Sequence, residues 1–69
     1  MAELTLTLPD GNSLKLEEGA PWGDAVKQIG EGLYRNALAV TVDGVHHPLG
    51  EPATAGGDLR VITRGDAVS

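Results

Sequence analysis

His46 and His47 are the only imidazoles in this chain of 69 residues. Adjacent histidines suggest metal binding or proton transfer. In an extended strand, however, neighbouring side chains point to opposite faces, so the two rings do not converge on one ion. They read as surface imidazoles on an edge strand. Gly56-Gly57 suggests a terminal glycine carboxylate of the kind activated by adenylation, but twelve residues follow the pair, ending in Ser69. It reads as loop. Gly30-Glu31-Gly32 lacks the strand-to-helix context and the lysine of a phosphate-binding loop, and reads as a helix stop followed by a turn. Asp10, Asp43 and Asp58 fall among turn residues, where a carboxylate accepts hydrogen bonds from nearby backbone. Glu17-Glu18 reads as a solvated pair rather than an acid/base dyad. No catalytic, cofactor-binding or metal-binding residue is expected. Trp22 reads chiefly as a packing residue. Lys27, Tyr34 and Arg35 are the candidate contact surface for RNA or a small ligand, gathered around a helix end.

The elements that must position these residues follow from the hydrophobic pattern. Leu4, Leu6 and Leu8 alternate with Thr5 and Thr7, the period of a half-buried strand. Pro9-Asp10-Gly11-Asn12 is a tight turn, and Leu14 and Leu16 alternate in the return strand. Trp22, Ala25, Val26 and Ile29 fall at i, i+3, i+4 and i+7, one apolar stripe of a helix. Pro21 suits the first helical position, Asp24 complements the positive end of the dipole, and Gly30 is the expected left-handed stop. Ala20 offers no side-chain cap, and Gly23 weakens the first turn. Leu38–Val42 reads as a strand, Asp43-Gly44 as a two-residue hairpin, and Val45–His47 as its partner, stopped by Pro48 at an edge. Residues 50–58 read as loop and Leu59–Thr63 as the last strand. The order β-β-α-β-β-β argues an α+β class. It fits a β-grasp, ubiquitin-like fold: a five-stranded mixed sheet with one main helix, its first and last strands parallel at the centre.

Composition narrows the function classes. Sixty-nine residues make one domain, with a core too small for a deep substrate cavity. The chain has no cysteine, which removes disulfides and thiolate zinc sites. A formal charge of −5 with five scattered basic residues disfavours tight nucleic-acid binding by this domain alone. No apolar run approaches a membrane span, and Met1-Ala2-Glu3 lacks the features of a signal peptide. A soluble cytoplasmic protein is expected.

Several pieces then recur together in one family. Leu8-Pro9-Asp10-Gly11, Glu18-Gly19, Asp24-Ala25-Val26, Ile29-Gly30, Gly32-Leu33, Ala37-Leu38-Ala39, Val42-Asp43-Gly44 and the closing Asp58–Thr63 stand in the order and spacing of a TGS domain. The chain resembles that β-grasp module over about residues 3 to 66. Such modules occur in threonyl-tRNA synthetases, certain GTPases and stringent-response nucleotide synthetases. Ile29-Gly30-Glu31-Gly32-Leu33, a start at Met1 and the Ile62-Thr63-Arg64-Gly65-Asp66 exit are most like the N-terminal domain of bacterial threonyl-tRNA synthetases. Ala20-Pro21, Tyr34-Arg35-Asn36 and His46-His47 depart from the family pattern at the surface.

The resemblance implies a non-catalytic module, residues 1–64, followed by the start of a linker at 65–69. ATP, zinc, tRNA and any oligomer contacts would belong to missing downstream domains of the same chain, and this module would serve interdomain packing, regulation or a weak RNA or ligand contact. Two other classes are weighed beside it. One is a stand-alone β-grasp protein that binds a small ligand or nucleotide. The other, a sulfur or protein carrier, lacks its terminal glycines.

Overall fold

The computed structural model describes residues 2–63. Expectations about residues 64–69, including the Arg64-Gly65-Asp66 exit and the linker, lie outside the described residues. Alternating leucines and threonines form β1 (Glu3–Thr7) and β2 (Ser13–Glu17). They pair antiparallel with Leu4 opposite Leu16 and Leu6 opposite Leu14. The turn between them is closed by its own backbone and by Asp10, whose Oδ1 accepts the Asn12 N–H at 2.9 Å. Helix α1 (Trp22–Ile29) carries the apolar stripe, and a one-turn-and-a-half helix α2 (Glu31–Asn36) follows it directly. Then come β3 (Ala37–Val42), β4 (Val45–Pro48) and β5 (Gly57–Thr63).

The sheet has five strands in the order β2-β1-β5-β3-β4. β5 lies at its centre, parallel to β1 through Leu6/Gly57 and Thr7/Asp58. It is antiparallel to β3 over Ala37–Val42. This mixed five-stranded α+β arrangement agrees with the β-grasp expected from the pattern. Leu6, Leu16, Trp22, Ala25, Val26, Val40, Val42, Ala53 and Leu59 make one buried cluster between sheet and helix. Helix-side burial by aliphatic side chains, each contributing about 1.5–3 kcal/mol when fully buried, stands in for the phenylalanines the chain lacks.

Four expectations need correction. Residues 31–36 are helical rather than a turn and loop. Gly30, with φ 173° and ψ 142°, is extended rather than left-handed. Its N–H still closes α1 on the Val26 carbonyl at 3.0 Å, and α2 begins at the next residue, so no left-handed exit is needed. Pro21 is the residue before the helix, at ψ 147°, and Trp22 is the first helical one. Asp58 sits in β5 rather than in a turn, and β5 starts at Gly57, inside the stretch read as loop.

Candidate functional site

Helices α1 and α2 bring two of the three candidate contact residues together. The Lys27 ammonium lies over the Tyr34 ring, 4.7 Å from its centroid. At an exposed site such a contact contributes about 0.5–1 kcal/mol. Tyr34 is half-buried because its ring edge lies against Gly23: a Cβ added there would stand 3.0 Å from Tyr34 Cε1 and 3.4 Å from the Leu49 carbonyl. The glycine that weakens the first turn of α1 is thus the space Tyr34 occupies. Arg35 is exposed on α2 and forms no ion pair among the described residues. The surface is a partly occupied cation and aromatic pair with a separate guanidinium, not a converging cluster.

The two histidines diverge, as alternation requires. His46 is exposed opposite Thr41. His47 is half-buried, its ring 5.0 Å from that of Trp22 and tilted by 33°. Its Nδ1 lies in hydrogen-bonding contact with the Glu51 carboxylate. His47 thus lies on the edge strand as expected but is only partly a surface imidazole, because Trp22 and Glu51 pack against its ring. The 49–53 segment supplies the missing cap of α1. The Trp22 N–H donates to the Glu51 carbonyl at 3.1 Å and the Gly23 N–H to the Leu49 carbonyl at 2.9 Å. Trp22 is buried, as expected, but its indole Nε1 has no hydrogen-bond partner. No local pattern announces this arrangement, since its two halves are about 25 residues apart and join only in the folded chain.

Gly56 and Gly57 have a packing role. A Cβ on Gly56 would collide with the Thr5 carbonyl of β1, and one on Gly57 with the Asp43 carboxylate. That carboxylate accepts the Asp58 N–H at 2.9 Å, and the Asp43 N–H donates to the Asp58 carbonyl at 2.9 Å. Asp10 and Asp43 are both occupied by backbone amides. Among the described residues no three His, Asp or Glu gather to hold a metal. Among the described residues the side-chain pairs that share hydrogen bonds are Asn12–Asp10 and His47–Glu51, and neither includes a nucleophile for a base to activate. No helix among them is long and apolar enough to cross a membrane.

Two depressions meet at the end of β1. One, of about 270 Å³, is mostly apolar and includes Ile29, Leu33 and Val61 in its lining. The other, of about 240 Å³, includes Thr7, Asp58 and Arg60. Leu8, Pro9 and Leu59 line both. These open surfaces suit recognition of another molecule rather than enclosure of a substrate.

No family model matches the chain. It is, however, similar over nearly its whole length to proteins named threonine–tRNA ligase. Identity is 40% over 63 residues to that of Thermus thermophilus, covering 91% of this chain and 10% of that protein. It is 42% over 64 residues to that of Desulfosudis oleivorans, again 91% and 10%. It is 33% over 66 residues to that of Roseobacter denitrificans, 96% and 10%. The chain thus spans about a tenth of the length of the curated relatives it matches, and corresponds to a small segment of them.

Proposed function

We propose that this chain is the TGS module of a threonyl-tRNA synthetase, a non-catalytic domain at the N-terminal end of an enzyme that joins threonine to its tRNA with ATP. The observation that carries the reading is the 40% identity over 63 residues to a small segment of a threonine–tRNA ligase. It is supported by a mixed sheet with β1 and β5 parallel at its centre. ATP and zinc serve the parent's other domains. The donor set here suits no zinc site, having no cysteine and two diverging histidines. The module packs against its neighbours in the cytoplasmic enzyme, and Lys27, Tyr34 and Arg35 are its contact surface for tRNA or a regulatory ligand. The five basic residues against ten acidic ones keep that contact weak.

Mass spectrometry of the native gene product, together with the reading frame, tests this. The expected product is several hundred residues longer than Ser69, with a His-x-x-x-His editing motif within roughly the next hundred codons. A stop codon after Ser69 overturns the reading. Backbone NMR of the chain then distinguishes the stand-alone alternative. Silence toward a panel of nucleotides, with shifts around Lys27, Tyr34 and Arg35 on adding tRNA, is expected. Micromolar nucleotide binding would favour a small-ligand protein instead.

A further inference from the structure

β5 outruns its parallel neighbour. It pairs with β3 as far as Thr63, but with β1 only at Gly57 and Asp58. β1 ends at Thr7, and Pro9, which has no N–H to add to a ladder, turns the chain away. Among the described residues, Arg60–Thr63 therefore have no strand on the β1 side. A row of unpaired backbone groups is a template for another strand.

The two depressions lie beside the start of this stretch, where Asp58, Leu59, Arg60 and Val61 of β5 contribute to their lining. Leu59 and Val61 line the more apolar depression together with Ile29 and Leu33. Thr7, Asp58 and Arg60 line the other. Both contain Leu8, Pro9 and Leu59. Open depressions beside a stretch of strand with no neighbour leave room for a further strand. Ile29, 40% exposed, is an apolar side chain left uncovered there.

We propose that the gap beside Arg60–Thr63 receives an extended segment of the polypeptide that follows this module in the longer chain, added to the sheet as a sixth strand. The proposal rests on the reading of the chain as one domain of a synthetase. The segment alternates apolar and polar residues. Its apolar side chains fill the groove between Ile29, Leu33 and Val61, and its polar ones face Asp58 and Arg60. Backbone pairing supplies the affinity and the groove supplies the selectivity. The occupant is in the same polypeptide for a reason of geometry. The relatives are about ten times longer than this chain, and β5 ends at Thr63, two residues after the groove residue Val61. A tethered segment there acts at an effective concentration on the order of millimolar, which a separate partner does not reach.

Hydrogen–deuterium exchange, read by mass spectrometry on peptides spanning Arg60–Thr63, compares the full-length gene product with the 69-residue chain. The expected result is that amides not paired with β3 exchange at least tenfold more slowly in the full-length protein. Ile29→Asp in the full-length protein is expected to restore fast exchange. Leu38→Asp, at a position 49% exposed and outside the groove, is expected to leave it slow. Both sites are already open to solvent, and circular dichroism confirms that each variant keeps its fold. Equal exchange in the two proteins overturns the proposal. So does slowing in the 69-residue chain that grows with its concentration, which would make the occupant a second copy. A long gene product carrying the editing motif but showing equal exchange refutes the docking alone, whereas a frame that stops after Ser69 refutes the synthetase reading and its occupant together.

Discussion

Asp43 is held through both its backbone and its side chain. It and Gly44 both have positive φ, 51° and 83°, as a tight hairpin turn requires. Its carboxylate and its N–H clamp Asp58 across the sheet. Asparagine tolerates the left-handed region and keeps an acceptor in the same place, so Asp43→Asn should change stability by no more than about 0.5 kcal/mol in urea unfolding. Asp43→Ala loses the acceptor while keeping the strained φ and should cost about 1–2 kcal/mol. Gly56→Ala forces β5 away from the Thr5 carbonyl and should cost about 1–3 kcal/mol by the same measurement. If Gly56→Ala is neutral, the glycine pair is only a loop.

Helix α1 has eight residues and no side-chain cap. Alone it would not persist in water. Two things hold it. Its stripe of Trp22, Ala25 and Val26 is buried on the sheet, and the segment after β4 turns the Leu49 and Glu51 carbonyls onto its first amides. Gln28 adds a bond from its Nε2 to the Lys15 carbonyl of β2 at 2.9 Å. First-turn amides of a helix have no partner inside it and usually exchange quickly. Here the Trp22 and Gly23 amides should be protected to nearly the level of the Val26 and Val40 amides in NMR exchange. Fast exchange at Trp22 and Gly23 would mean the 49–53 segment does not cap α1. His47→Ala, which removes the ring from Trp22 and the partner from Glu51, should loosen that segment and speed exchange at both amides by about fivefold or more, a loss of about 1 kcal/mol.

At the scale of the whole molecule, stability rests on few side chains. A domain of this size retains about 3–5 kcal/mol. Trp22 is 1% exposed and is the largest buried side chain. Its truncation to alanine costs about 3–5 kcal/mol in typical cores. Trp22→Ala should therefore leave the chain mostly unfolded at 25 °C by circular dichroism, and a folded Trp22→Ala variant would show that the sheet stands without its helix. The same small core fits the open depressions found among the described residues. Every aliphatic residue that reaches the interior is used to hold the two layers together, and the apolar groove at the end of β1 is what remains uncovered.

Local chemistry was legible wherever a signal fits within a few residues. The leucine–threonine alternation of β1, the Pro9–Asn12 and Asp43-Gly44 turns and the stripe of α1 all follow from short-range period and turn stereochemistry. Their order named the fold. The six residues of α2 were hidden because Gly30 and Gly32 are turn residues by propensity, and packing of Leu33 and Tyr34 against the core overrides that preference. Three further features depend on residues far apart in sequence. His47 against Trp22, the Asp43 clamp beside Gly57, and the outrunning of β1 by β5 come from register. Register is set by how both strands meet the shared helix face, a balance struck over the whole sheet that no short window of residues contains.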